Sequence, residues 1–120
     1  MKFNPLLFII AACFMACSGP LRSTVSIPAG QEFVLGEPSQ KNYQAKLNNL
    51  SDAQVRVKVV DKKTQAQTQV LRLAANEEAN VYISGDETVY LINPNDEDAK
   101  VKVFLSKGVE GMRYQEIKSN

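Results

Sequence analysis

The sequence predicts an all-β protein: an antiparallel immunoglobulin-like β-sandwich of about seven to nine strands that follows an N-terminal signal segment. Three observations support this fold class. Apolar and polar residues alternate with a period of two, most regularly in residues 55–59 and 99–103. All valines lie after residue 24, and β-branched residues favour strands. Turn-forming residues recur every 8–12 residues or so, which is typical of a sandwich or, as the alternative, of a small barrel.

Nine segments carry the strand pattern, and polar, glycine-containing or proline-containing turns separate them. No segment of the mature part combines the length and the apolar stripe of a helix. Residues 73–79 contain helix formers but are too short, so we expect a corner between strands there. The predicted strands cover residues 24–27, 31–35, 43–48, 54–61, 67–73, 78–83, 87–92, 99–105 and 113–117. Residues 24–120 can bury one modest core, which predicts a single domain.

A faint internal repeat links residues 47–57 with residues 92–103. Each copy contains the end of a strand, an asparagine-led turn, an Asp-Ala pair and a strand in which valine alternates with basic residues. We interpret the repeat as two similar hairpins of a sandwich, with duplication as the alternative. The likeness to the immunoglobulin sandwich is one of architecture, because the chain has no Cys…Trp…Cys spacing.

The N-terminus has the pattern of a signal peptide. Lys2 precedes an apolar run over residues 6–16, which is shorter than the roughly 20 residues of a membrane-spanning helix. The run ends in Phe14-Met15-Ala16-Cys17, which resembles the lipobox of bacterial lipoproteins. This resemblance implies cleavage before Cys17 and lipid attachment to it. Attachment at Cys13 and ordinary cleavage without lipidation are the alternatives, and Cys13 would follow a shorter apolar run.

The lipobox resemblance also implies a location and a first partner. Residues 1–16 would be the signal peptide, residues 17–23 the lipidated cysteine with a short tether, and residues 24–120 the folded domain. The lipid anchor would hold the protein to a membrane of the bacterial cell envelope. Ser18 stands where an aspartate would imply retention at the inner membrane, and no acidic cluster follows Cys17. The resemblance therefore implies the outer membrane, facing the periplasm.

Composition restricts the chemistry of the mature part. After residue 17 the chain has no histidine, cysteine or tryptophan, which excludes Ser-His-Asp and Cys-His catalysis, His/Cys metal sites and disulfides within the domain. The net charge of +1 gives no basic surplus for nucleic acid. We therefore expect no enzyme, no cofactor and no metal. The prediction is a non-enzymatic envelope module that binds or scaffolds an unknown envelope protein or glycan. A small-ligand or glycan-binding accessory module beside a transporter or hydrolase is the alternative.

Basic residues on two predicted strands are candidates for binding. Arg56 and Lys58 alternate with valines on one strand, and Lys100 and Lys102 do so on another. An anionic lipid, lipopolysaccharide or acidic glycan would bind such a surface if the two strands were neighbours in one sheet. A solvated face that deters edge pairing is the alternative.

Two tyrosines and one acidic segment are the remaining candidates. Tyr82 and Tyr90 would share a face if strands 78–83 and 87–92 formed a hairpin. Such a pair could stack on a sugar or simply stabilise the sheet. Residues 93–98 contain three acids, but their spacing does not match a calcium loop. We interpret them as a polar hairpin turn.

Overall fold

The computed structural model describes residues 20–38, 41–107 and 111–117, and these residues form nine strands. Within these ranges no helix is long and apolar enough to cross a membrane. The strands are β1 (Leu21–Ile27), β2 (Gln31–Leu35), β3 (Tyr43–Asn49), β4 (Val55–Asp61), β5 (Gln67–Leu73), β6 (Glu78–Ile83), β7 (Glu87–Ile92), β8 (Ala99–Leu105) and β9 (Met112–Glu116).

Each predicted strand is present, and the ends differ by a few residues. The largest difference is at β1, which begins at Leu21 rather than at residue 24, so part of the predicted tether 17–23 is strand. Residues 74–77 connect β5 to β6 in the other sheet, which confirms the corner predicted within residues 73–79. The alternating pattern places most of the strands because most of them bury one face.

The nine strands form two antiparallel sheets, which confirms the predicted β-sandwich. One sheet has the order β1-β8-β3-β6 and the other has the order β5-β4-β7-β2-β9. The pairs β1–β8, β2–β7, β3–β6 and β4–β5 are those of a long hairpin rolled up on itself, which is a jelly roll, with β9 added beside β2. The likeness to the immunoglobulin sandwich is therefore architectural, and the strand order is specific to the jelly roll.

The main core lies between the two sheets. Val57 on β4 and Val103 on β8 point into it with 0% and 2% of their surface exposed, as expected from the alternation of valines with basic residues in residues 55–59 and 99–103. Strand β7 is buried on both faces over its whole length, and most of β2 is as well. On the outer face of its sheet, apolar side chains form a second, smaller cluster, which consists of Val34, Val60, Tyr90 and Ile92.

The two repeat segments form corners between the sheets, so their interpretation as hairpins is wrong. The chain passes from β3 to β4 after Asn49 and from β7 to β8 after Asn93, and each step changes the sheet. Both asparagines are fully buried. The Asn49 amide donates hydrogen bonds to the carbonyl oxygens of Ala53, Leu73 and Ala74. The Asn93 amide donates likewise to the carbonyl oxygens of Ile27, Pro28 and Glu97.

Candidate functional site

The outer face of the four-stranded sheet carries a group of exposed basic side chains. Lys100 and Lys102 lie on β8, and the flanking strands β1 and β3 add Arg22 and Lys46. All four residues are exposed. We call this surface, formed by Arg22, Lys46, Lys100 and Lys102, the basic face. The neighbouring strand β6 carries Glu78, whose carboxylate lies 3.8 Å from the Lys46 ammonium.

The cations of the basic face are staggered across the paired strands. Lys102 lies opposite Thr24 on β1 and Asn48 on β3, so no second cation faces it directly. Arg22 lies opposite Phe104, with its guanidinium carbon 5.0 Å from the ring centroid. Staggering keeps like charges from facing each other across paired strands, which would destabilise the sheet.

A shallow depression of about 280 Å³ lies in the middle of the basic face. Three cations and the ring of Phe104 border it, together with Asn48 and with Glu78, whose carboxylate lies beside Lys46; the cations are those of Arg22, Lys46 and Lys102. The Oδ1 atom of Asn48 is buried and accepts no hydrogen bond from the described part of the chain. The depression therefore combines positive charge, an aromatic surface and an amide, a set of groups that suits a hydroxylated or phosphorylated anion.

Arg56 and Lys58 do not belong to this surface, so the expectation of one basic surface made with Lys100 and Lys102 is wrong. Strand β4 lies in the five-stranded sheet, and its outer face points away from the basic face. Arg56 lies directly opposite Arg72 on β5, which concentrates positive charge on that side as well. The alternation of apolar and polar residues predicts which side chains point outward from a strand, but it does not predict which sheet the strand joins.

Lys58 also differs from expectation because it is buried, with 5% of its surface exposed. It faces outward from its sheet, beside the second apolar cluster. Loss of hydration on burial lowers the pKa of Lys58, while the negative charge of Glu32 raises it and the positive charge of Arg56 lowers it. The nearby charge is itself fully buried: Glu32, on β2, has 0% of its surface exposed.

Sequence reasoning missed Glu32, although one signal was present. Residues 31–35 lack the polar-apolar alternation of a half-buried strand, and four of these five residues are buried. An acid within such a segment must be buried as well, and it then requires hydrogen-bond partners. Gln115 on β9 supplies one, because its Nε2 donates to Glu32 Oε2 at 2.5 Å. We call Glu32 and Lys58 the buried charge pair.

An open cavity of about 330 Å³ lies over the buried charge pair. We call it the charged cavity. Besides Glu32 and Lys58, side chains from three further strands and from the β4–β5 loop line it, among them Lys62, Gln65, Tyr90 and Gln115. The Lys62 ammonium donates a hydrogen bond of 3.1 Å to the Tyr90 hydroxyl and lies 5.8 Å from the centroid of that ring.

Tyr82 and Tyr90 lie on different sheets, so the predicted shared face is wrong. Strands β6 and β7 are consecutive in the chain but do not pair, because the turn between them crosses from one sheet to the other. Tyr90 is buried at 8% exposure beside the charged cavity. Tyr82 is 68% exposed and lies opposite Gln44 on β3, on the same side of the sheet as the basic face.

The other sequence candidates offer no site in the described residues. Cys17 and its alternative Cys13 lie outside them. The acidic segment 93–98 forms the β7–β8 corner rather than a hairpin turn. Within residues 20–38, 41–107 and 111–117, no group of three or more His, Cys, Asp or Glu side chains could hold a metal ion.

Comparison with known proteins supports the fold and does not extend to function. No family model matches the sequence, and no curated protein matches it. Among solved structures, the chain is similar to Peruvianin-I, a cysteine peptidase from Thevetia peruviana latex, with a TM-score of 0.56 and 11% sequence identity. The match covers 83% of this chain and 58% of Peruvianin-I. At this identity the likeness shows a shared fold alone.

Proposed function

We propose that the protein is a lipid-anchored, non-enzymatic binding module of the bacterial cell envelope, and that the basic face is its docking surface for an anionic partner. The anchor rests on the lipobox resemblance that ends at Cys17. A binding role rather than an enzymatic one is supported by the absence of histidine and cysteine after that residue. The partner proposed for the basic face is the phosphate-bearing headgroups of the leaflet that holds the anchor.

The observation that carries this proposal is the composition of the basic face. Four exposed cations project from three adjacent strands, and within the described residues a salt bridge to Glu78 involves one of them, Lys46. A basic surface next to an anionic leaflet gains about 1 kcal/mol for each Lys or Arg close to it. A lipid anchor and a basic surface together would hold the sandwich in one orientation on the membrane.

The position of β1 supports the same arrangement. Strand β1 begins at Leu21, four residues after Cys17, and four extended residues span at most about 14 Å. Arg22, the second residue of β1, belongs to the basic face. This face therefore begins close to the proposed anchor, whereas Arg56 and Arg72 project from the opposite sheet.

Vesicle binding tests the proposal. All strands of the described ranges lie between Leu21 and Glu116, so the unlipidated chain from Ser18 onward contains both sheets. We expect this chain to sediment with vesicles rich in anionic phospholipid at low salt, and to be released near 0.1 M salt, where the screening length falls to about 10 Å. Lys100→Gln/Lys102→Gln should abolish sedimentation without changing the melting temperature.

The matched control removes two charges from the opposite sheet. Arg56→Gln/Arg72→Gln changes the net charge by the same amount but leaves the basic face intact, so it should sediment as the wild type does. An equal loss of binding in both double variants would show that net charge alone is responsible. That result, or wild-type chain that fails to sediment at low salt, would contradict the proposed docking surface.

A glycan-binding accessory module is the second candidate, and the exposure of Tyr82 favours it. An exposed aromatic ring can stack on the apolar face of a sugar, and Tyr82 lies on the same side of the sheet as Phe104 and the basic face. If the protein has this function, neutral oligosaccharides should bind to the wild type, and the variant Tyr82→Ala should lose that binding. Vesicle binding that survives Tyr82→Ala separates the two candidates.

A further inference from the structure

The charged cavity lies on the five-stranded sheet, away from the basic face, and its floor contains two buried charges. Glu32 is fully buried and Lys58 is 5% exposed, although both project from the outer face of the sheet. Charges removed from water are costly, and replacing a buried ion pair with apolar side chains is often neutral or stabilising. The second apolar cluster shows that this face accommodates valine and isoleucine. Stability alone therefore gives no reason for a buried charge pair here.

The walls of the charged cavity are rigid and polar. The β4–β5 loop forms one wall, and Asp61 holds it by accepting hydrogen bonds from the backbone N–H groups of Lys63 and Thr64. Gln65 adopts a left-handed backbone conformation with φ 65°, and its side-chain amide donates to the Lys62 carbonyl. A loop fixed in this way loses little conformational freedom when a ligand binds.

Charge and hydrogen-bonding groups define the ligand class that fits. Lys58, Lys62 and Arg113 line the cavity with one carboxylate, Glu32, and Arg113 is paired with Glu37. This arrangement leaves a surplus of positive charge. Side-chain amides of Gln65 and other glutamines can both donate to and accept from hydroxyl groups. The ring of Tyr90 and the side chain of Val60 supply apolar surface.

We propose that the charged cavity binds a small hydroxylated carboxylate of the uronic-acid type, with its carboxylate on Lys62 and Lys58 and its hydroxyl groups on the surrounding amides. Its volume of about 330 Å³ is at the lower end of the range for ligand pockets, which suits one or two sugar units. Desolvation, which lowers the pKa of Lys58, also strengthens the attraction of its charged form for a carboxylate.

Titration of the isotopically labelled chain from Ser18 onward, followed by NMR, tests this proposal. The probes are glucuronate, glucose as the neutral sugar, and acetate as the carboxylate alone. We expect glucuronate to shift the amide signals of Lys58, Lys62 and Tyr90, with affinity at least about tenfold higher than that of either partial probe, because only glucuronate satisfies both the charge and the amides. Glucose or acetate binding as tightly as glucuronate would overturn the proposal.

Two adjacent lysines provide the matched control. Lys62 lines the cavity. The side chain of Lys63 is exposed, and its ammonium lies 3.6 Å from the carboxylate of Asp86. Lys62→Gln should weaken glucuronate binding by about tenfold, because it removes a charge that lines the cavity. Lys63→Gln removes one positive charge outside the cavity and should leave binding unchanged. Equal effects of the two variants, or no shifts at cavity residues, would reject the site.

The two proposals can fail separately. The variant Lys100→Gln/Lys102→Gln alters the basic face and should bind glucuronate as the wild type does. Lys62→Gln should in turn leave vesicle binding unchanged. Loss of glucuronate binding in the Lys100→Gln/Lys102→Gln variant would place the uronate site on the basic face and contradict its assignment to the charged cavity.

Discussion

Asn49 and Asn93 hold two corresponding corners of the jelly roll. A chain that leaves one sheet for the other breaks its ladder of backbone hydrogen bonds, and the carbonyl oxygens at the break need new donors. The two N–H groups of each asparagine amide are shared among three carbonyl oxygens, and each Oδ1 accepts from the backbone N–H two residues further on. Both positions lie in the repeat found in the sequence, but the repeat was interpreted as two hairpins. An asparagine-led turn can form either a hairpin within one sheet or a corner between two sheets.

Replacement of Asn93 by alanine should be among the most damaging single changes. Asn93→Ala removes the donor from the buried hydrogen bond to the Ile27 carbonyl and from the partly buried one to Pro28, which should lower the free energy of unfolding by about 2–3 kcal/mol. Urea denaturation measures this change. The control Asn80→Ala, at an exposed position of β6, should stay within about 0.5 kcal/mol. Equal stability of the two variants would contradict the role assigned to the Asn93 amide.

At the level of the strand, alternation predicts which side chains point inward, but it does not predict which other strand is the hydrogen-bonded neighbour. The positions of Val57, Val103, Lys100 and Lys102 follow from the period of two in β4 and β8. Short turns between consecutive strands led to the prediction of a hairpin that would bring Tyr82 and Tyr90 together. Among the connections in the described ranges, only β4–β5 joins neighbours in one sheet, because every other connection crosses the sandwich.

Truncation of two adjacent residues of β8 should change the free energy of unfolding by very different amounts. Val103 is 2% exposed between the sheets, so Val103→Ala should cost about 1–3 kcal/mol in the free energy of unfolding through lost burial and a residual cavity. Lys102 points to solvent, and Lys102→Ala should stay within about 0.5 kcal/mol. Thermal or urea unfolding compares the two variants. A larger effect of Lys102→Ala than of Val103→Ala would show that the inward and outward faces assigned to β8 are reversed.

At the level of the whole molecule, the sequence predicts a sandwich, whereas the jelly roll depends on contacts that are distant in the chain. The pairing of β1 with β8 joins residues about eighty positions apart, as in Leu21 opposite Leu105, and no local pattern encodes such a choice. The same limit applies to the sites. The basic face needs β1, β3 and β8 together, and the charged cavity needs β2 beside β7 and β9.

The central claim is that the sandwich is anchored through Cys17 and works at a membrane surface. Labelling of cells with radioactive palmitate, followed by isolation of the protein from the membrane fraction, tests this claim most directly. We expect label in the wild type and in Cys13→Ser, and neither label nor membrane association in Cys17→Ser, because only Cys17 follows an apolar run of sufficient length. Label that persists in Cys17→Ser would contradict the account, and label lost in Cys13→Ser alone would move the anchor to Cys13.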